Sequence, residues 1–222
     1  MKRKQIVITD LDETFVHHDY EKEVEKLCKY IEIPYSKEIE EQFYEFIADY
    51  EKILKGKRIT KRSVKEAIKE KMPSLCAYIT ESEFLEKWIE IDNTVYTKAS
   101  EYTLKKMKEK GYKIVAFTDW FREAQIKRLD KLGYLPYFDQ IYGWEDSYVK
   151  PDIRALERIV GKNAKEDYIL IGDSLEKDIL CANQGKVTSV WFNPKKKIND
   201  TSIKPDYEIR DISEILEILA IS

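Results

Sequence analysis

The spacing of apolar positions changes character twice along the chain. Gln5-Ile6-Val7-Ile8-Thr9 is a short, continuous β-branched run leading into acidic residues, the pattern of a strand buried on both faces. From about His18 to Asn93 the period becomes helical. Val24, Leu27, Cys28 and Ile31 share one helical face, and Ile39, Phe43, Phe46, Ile47, Tyr50 and Leu54 share another. Gly56 is expected to stop the second helix and Thr60 to cap a third, which runs to about Lys71 and is closed by Pro73. Thr80 with Glu83 forms a capping box for a fourth helix carrying Phe84, Leu85, Trp88 and Ile89. After Thr97, strand and helix alternate. The spacing predicts helices over 100–110, 120–132, 152–160, 175–183 and 213–219, and strands over 112–117, 140–142, 168–171, 187–192 and near 207–209. Such alternation with buried strands argues for an α/β fold, a doubly wound parallel sheet, with an inserted all-helical segment. The expected division is a core of residues 1–17 and 94–222 and an insertion of 18–93.

Composition narrows the functional classes. In 222 residues, 43% are hydrophobic and 36% charged, too apolar for a disordered chain. The net charge of -3 supplies no pull toward nucleic acid or an anionic membrane, so neither is an expected partner. No apolar run approaches the roughly 18 residues of a span, and Met-Lys-Arg-Lys leads into a short strand rather than a signal segment. Cys28, Cys76 and Cys181 are odd in number and far apart, and two histidines are too few for a zinc site. Free thiols in a reducing, cytoplasmic setting are the reading. Only seven glycines occur, and six of them punctuate the strand–helix series.

Polar residues cluster where the strands end. Asp10-Leu11-Asp12 follows the first, Thr118-Asp119 the strand 112–117, Lys150 lies in the loop after 140–142, and Asp173 and Asp178 follow 168–171. In a parallel sheet these positions meet at one rim. Asp10 and Asp12, two apart on an extended segment, present two carboxylates while Leu11 turns inward. With Asp173 and Asp178, up to four carboxylates share a crevice and cannot all stay ionised without a cation. Hard oxygen ligands in this number favour Mg2+. Lys150 adds a fixed positive charge and Thr118 a hydroxyl, which together with the metal make a phosphate-sized anion site.

Asp10-Leu-Asp12-Glu-Thr14, Thr118, Lys150-Pro151-Asp152 and Gly172-Asp173-Ser174-Leu-Glu-Lys-Asp178 closely resemble the four ordered motifs of the haloacid dehalogenase superfamily of phosphohydrolases. The helical segment lies where that family's first type of cap is inserted. Asp12 and Thr118 are 106 residues apart, against 32 from Thr118 to Lys150 and 23 from Lys150 to Asp173, as a cap insertion produces. The resemblance implies that Asp10 is the nucleophile, forming an aspartyl-phosphate, and Asp12 the general acid and base. It further implies that Mg2+ is held by Asp10, the Asp12 backbone carbonyl and Asp173, with Asp178 in or near the layer of groups just outside these ligands, reaching the metal directly or through water. Thr118, the Asp119 backbone N–H and Lys150 would hold the phosphoryl oxygens of a small phosphorylated metabolite. The second carboxylate separates phosphoryl chemistry from carbon–halogen cleavage, since dehalogenases of the superfamily lack it. Trp191-Phe-Asn193 and Pro205-Asp-Tyr207-Glu-Ile209 are similar to the branch containing nucleotide phosphatases and acylneuraminate-9-phosphatases.

Three positions depart from the family pattern. Glu13 stands where Gly is usual, Asp119 where Asn is common, and Trp120 where a small residue is often found. His17 and His18 read as a surface loop at the hinge into the insertion, with substrate contact as the alternative, and Lys195-Lys196-Lys197 as a solvated loop. Trp120 and Trp144 lie near strand ends, where stacking on a nucleobase is one use open to them. The expected activity is an Mg2+-dependent phosphatase. A phosphomutase would use the same core, and a phospho-receiver domain a similar acidic cluster, although a receiver needs no insertion and does not place its phosphoacceptor on the first strand.

Overall fold

The computed structural model of the chain describes residues 6–54, 59–91, 93–145, 148–161 and 165–221. Gln5 and the expected stop at Gly56 lie outside the described residues, as do the side chains of Tyr50 and Leu54. The chain separates into two compact units, Met1–His18 with Thr94–Gly143 and Lys150–Ser222, and Asp19–Asn93 with Trp144–Val149.

The first unit is built on β1 (Ile6–Thr9), β2 (His17–His18), β3 (Thr94–Val95), β4 (Lys113–Phe117), β5 (Gln140–Tyr142), β6 (Tyr168–Gly172), β7 (Thr188–Phe192) and β8 (Tyr207–Ile209). Six of these form a sheet in the order β5-β4-β1-β6-β7-β8, every pairing parallel. β1 sits inside it, with Ile8 beside Val115 of β4 and Leu170 of β6. Strand order runs outward from β1 in opposite directions, through β4 to β5 and through β6 to β8, so the sheet reverses its winding at β1. Ligands of open α/β sheets bind beyond the carboxyl ends at such a reversal.

One apolar core beneath this sheet contains Val7, Ile114, Ala116, Ile169, Ile171 and Val190, packed with Leu104, Met107, Ile215 and Leu219. At about 25 cal/mol per Å2 of apolar surface removed from water, each large aliphatic side chain of this set contributes about 1.5–3 kcal/mol. Burial on both faces explains why β1 and β6 are continuous apolar runs rather than alternating ones.

In the second unit, α1 (Glu23–Tyr30), α2 (Lys37–Leu54), α3 (Lys61–Lys71), α4 (Pro73–Cys76) and α5 (Glu81–Glu90) follow one another. Thr60 caps α3, and Thr80 with Glu83 makes the expected capping box at the start of α5. Trp88 is the centre of the aromatic packing, its ring 5.5 Å from Phe43 and 5.7 Å from both Phe46 and Phe84. Pro73 does more than close α3. It occupies the first turn of the short α4, where its missing N–H is not needed.

The helices of the first unit are α6 (Lys98–Glu109), α7 (Arg122–Lys131), α8 (Ile153–Val160), α9 (Leu180–Gly185) and α10 (Ile215–Ile221). Two features differ from expectation. His17 and His18 are not a surface loop: they pair antiparallel with Val95 and Thr94 in a two-stranded ribbon, and both are partly buried. The expected helix over 175–183 opens with a five-residue π turn, Leu175–Ile179, before α9. The wider turn brings Asp178 back beneath the end of β6. Among the described residues no helix is long and apolar enough to cross a membrane.

Candidate active site

The register of the sheet sets the geometry. Because β4, β1 and β6 are adjacent and parallel, Asp10, Thr118 and Asp173 leave three neighbouring strand ends on the same side. The backbone N–H of Asp10 still donates to the Ile171 carbonyl at 2.9 Å, so β1 and β6 remain paired up to the carboxylate. Asp10 is 7% exposed. Thr14 Oγ1 donates to Asp10 Oδ2 at 3.2 Å, which orients the carboxylate from its own loop.

Lys150 ties the acidic residues together. Its Nζ donates to Asp10 Oδ1 at 2.7 Å, Asp178 Oδ1 at 2.6 Å and the Phe117 carbonyl at 3.2 Å, using all three ammonium protons. Burial works against the Lys150 charge, but Asp10, Asp178 and Asp119 outweigh it and hold its pKa well above the ordinary lysine value. Asp119 supports this lysine from behind, with Oδ1 accepting the Lys150 backbone N–H at 3.0 Å. Burial pushes the Asp119 carboxyl up to about 6 despite Lys150.

Asp178 is 1% exposed, and its Oδ2 accepts the Ser174 N–H at 3.1 Å. The π turn and Gly172 together make its position possible. A Cβ at Gly172 would lie 2.5 Å from Asp178 Cβ and closer still to the carboxylate, an overlap no side chain tolerates. Glycine directly before Asp173 is therefore a steric requirement of Asp178, which the π turn folds back against it. Trp191 Nε1 donates to the Asp173 carbonyl at 3.0 Å and fixes the loop from β7.

Carboxylate oxygens of Asp10, Asp173 and Asp178 lie within 4.8 Å of one another. Burial, with the neighbouring charge of Asp178, pushes Asp173 up to about 6. Burial also raises Asp10 against the pull of Lys150, with Asp178 and Asp12 adding to the rise. One ammonium thus faces several crowded carboxylates, and three hard oxygen donors with uncompensated charge fit a small divalent cation.

The Asp12 side chain faces a different set of groups. Oδ1 accepts from His18 Nε2 at 2.6 Å and Arg128 Nη1 at 3.3 Å, and Oδ2 accepts from Gln125 Nε2 at 2.6 Å and Thr118 Oγ1 at 3.3 Å. Burial alone would raise this carboxyl. The His18 hydrogen bond and the Arg128 charge prevail, aided by Gln125, and bring it down to about 2. Asp12 therefore rests as a carboxylate.

Gln125 and Arg128 were not expected as site residues, and His18, for which substrate contact was the alternative to a surface loop, instead holds the Asp12 carboxylate. Gln125 and Arg128 interrupt the otherwise apolar buried stripe of α7, beside Ala124 and Leu129. Polar residues on a core-facing stripe were the available signal; their target was not. Glu13 adopts a left-handed backbone at φ 62°, so the usual glycine conformation is kept without glycine. Trp144 is buried at 1% exposure, which leaves no face for a nucleobase, and Trp120 packs edge-on to Phe121 with Arg128 over its ring. Lys195, Lys196 and Lys197 are exposed, as a solvated loop requires.

Comparison with known proteins yields a consistent picture. A sequence model of haloacid dehalogenase-like hydrolases matches residues 2–192. The pyrimidine 5'-nucleotidase PynA of Streptococcus pneumoniae is 33% identical over 115 residues, 50% of this chain and 48% of that protein. The glyceraldehyde 3-phosphate phosphatase of Methanocaldococcus jannaschii is 29% identical over 122 residues, 53% of each. The chain thus matches about half the length of these curated relatives. Among solved structures, the magnesium-bound HAD-hydrolase YfnB of Bacillus subtilis superposes with a TM-score of 0.73 at 21% identity, covering 99% of this chain and 100% of that one. That likeness is one of fold.

Proposed function

Because the chain belongs to the haloacid dehalogenase-like hydrolases, we propose that it is an Mg2+-dependent phosphatase of small phosphate monoesters, working through an aspartyl-phosphate on Asp10. The observation that carries the reading is the division of labour between two carboxylates two residues apart. Asp10 lies with Lys150, Asp173 and Asp178, whereas Asp12 is held by neutral and cationic donors and by the Thr118 hydroxyl. Two nearby carboxylates in unlike surroundings are what separate nucleophile and acid–base roles require. Phosphatase names among the relatives, including a pyrimidine 5'-nucleotidase and a glyceraldehyde 3-phosphate phosphatase, support the reaction class.

In this mechanism an Asp10 oxygen attacks phosphorus in line and the bond to the leaving oxygen breaks. Asp12 in its acid form gives that oxygen its proton. Asp12, now a carboxylate, takes a proton from water as the water attacks phosphorus of the acyl phosphate, releasing inorganic phosphate and restoring Asp10. Because Asp12 rests as a carboxylate, it must take up one proton from substrate or solvent as the phosphoryl group binds, and the negative charge of that group beside Thr118 would favour this uptake. Thr118 would hold a phosphoryl oxygen, Lys150 would offset phosphoryl charge and donate to it once one of its three present acceptors is released, and the backbone N–H of Asp119 is positioned in the sequence to join them. Asp10, Asp173 and Asp178, with the Asp12 backbone carbonyl, would hold Mg2+, which supplies further charge neutralisation at the phosphoryl oxygens. The insertion 18–93 is read as the cap that carries substrate preference.

Asp10→Asn should abolish phosphate release in Mg2+ across a panel of sugar phosphates, nucleotides and acyl-sugar phosphates. A variant that retains turnover would refute the nucleophile assignment.

A further inference from the structure

The acid–base carboxylate is held by two residues of a helix that carries none of the four motifs. Gln125 and Arg128 are three apart in α7 and so share a face, which is the buried one: Gln125 is 0% and Arg128 8% exposed. An amide and a guanidinium on a core-facing stripe are costly unless their hydrogen bonds are made. Here they are made largely to one carboxylate. Gln125 Nε2 reaches Asp12 Oδ2 at 2.6 Å and Thr118 Oγ1 at 3.0 Å, while Arg128 Nη1 reaches Asp12 Oδ1 at 3.3 Å. The amide therefore bridges the acid–base carboxylate and the hydroxyl expected to meet the phosphoryl group. Among the described residues Gln125 Oε1 and Arg128 Nε, both buried, find no hydrogen-bond partner. Packing alone would have favoured apolar side chains at both positions, since these two leave polar atoms unsatisfied.

We propose that Gln125 and Arg128 are positioning residues that aim the Asp12 carboxyl at the leaving-group oxygen, with Gln125 tying that aim to occupancy of Thr118. The inference rests on the phosphatase reading and on Asp12 as its acid. The physical ground is that proton transfer in the transition state demands hydrogen-bond reach, and a short Asp side chain on a loop is free to rotate unless both its oxygens are held. α7 follows directly from the loop that carries Thr118, so one helix can fix both the hydroxyl and the carboxylate. Its two polar residues reach Asp12 through contacts spanning 113 and 116 residues of chain.

The test uses full-length protein in Mg2+ and compares kcat/KM on p-nitrophenyl phosphate with that on phenyl phosphate. This constant covers the steps through the first phosphoryl transfer. Phenolate is the poorer leaving group and needs the acid more. Gln125→Met keeps the volume and removes the hydrogen bonds, and Arg128→Met does the same for the guanidinium. Each is expected to lose at least about tenfold more on phenyl phosphate than on p-nitrophenyl phosphate, a fraction of the roughly 10²–10⁴-fold that general acid catalysis supplies. Arg128→Lys, which keeps the charge, should recover part of the loss. Equal losses on the two substrates would overturn the proposal, because a merely structural role does not sense the leaving group. If a methionine variant fails to fold, Arg128→Lys decides the matter, with a smaller loss that is still greater on phenyl phosphate. Absence of turnover by the unaltered protein on every phosphate ester would sink the phosphatase reading, and the inference with it.

Discussion

Replacing Gly172 by alanine isolates the most crowded point of the site. The added Cβ would lie 2.5 Å from Asp178 Cβ, and nearer still to Cγ and Oδ2. These separations are a full ångström or so inside ordinary van der Waals contact. Asp178 cannot yield cheaply, because its Oδ1 is bound to Lys150 Nζ at 2.6 Å and its Oδ2 to the Ser174 N–H at 3.1 Å. Overpacking costs about 1–3 kcal/mol, and breaking a buried ion pair from one side about 3–5 kcal/mol. Partial relaxation places the expected loss near about 3 kcal/mol. For a chain of this size that lowers Tm by roughly 6–12 °C. Gly111→Ala is the control: its φ of +81° makes the backbone unfavourable for alanine, but no atom lies within 4 Å of the new Cβ. That variant should lose only about 1 kcal/mol. Thermal unfolding of Gly172→Ala in the parent and in an Asp178→Gly background, which removes the Asp178 Cβ along with its carboxylate, completes a double-mutant cycle. In the second background most of the cost should vanish. A Gly172→Ala shift no larger than that of Gly111→Ala, or one that persists in full without the Asp178 side chain, would refute the steric argument.

Two further substitutions test features of the same loops. Glu13→Gly relieves a left-handed backbone at φ 62° that costs a non-glycine residue about 1–2 kcal/mol, and removes a carboxylate whose buried Oε1 has no hydrogen-bond partner among the described residues. After the added chain entropy of glycine, Tm should rise by roughly 2–4 °C; a fall in calorimetry would show that the conformation is not strained. Asp119 has a folded pKa of about 6, raised chiefly by burial above the roughly 3.9 of an unfolded chain. The folded state therefore binds this proton more tightly, and stability falls as pH rises from about 4 through about 6, by at most about 3 kcal/mol. Asp119→Asn removes this contribution and should lessen the fall of Tm between about pH 4 and 7, leaving the part due to Asp173, which is also pushed up to about 6. An unchanged pH profile would mean that Asp119 ionises freely in the fold.

Local patterns carried much of this protein in plain view. The continuous apolar runs of β1 and β6, the capping box Thr80–Glu83 and the buried positions Phe84, Leu85, Trp88 and Ile89 depend on neighbours a few residues away, where periodicity and caps act. The acidic and basic residues at strand ends were legible for a related reason. A parallel sheet brings all its carboxyl ends to one rim, so naming the strands also names the rim. The short ribbon of His17 and His18 was not legible, since two residues hold no period and their pairing partners are Val95 and Thr94. The π turn at Asp178 was hidden as well, because it answers the space above Gly172 rather than any helix propensity. Nor could the apolar stripe of α7 reveal that Gln125 and Arg128 converge on Asp12, 113 and 116 residues earlier in the chain. Hydrogen bonds of that span are chosen by how buried donors and acceptors find partners once the sheet has formed, and burial then makes them worth keeping.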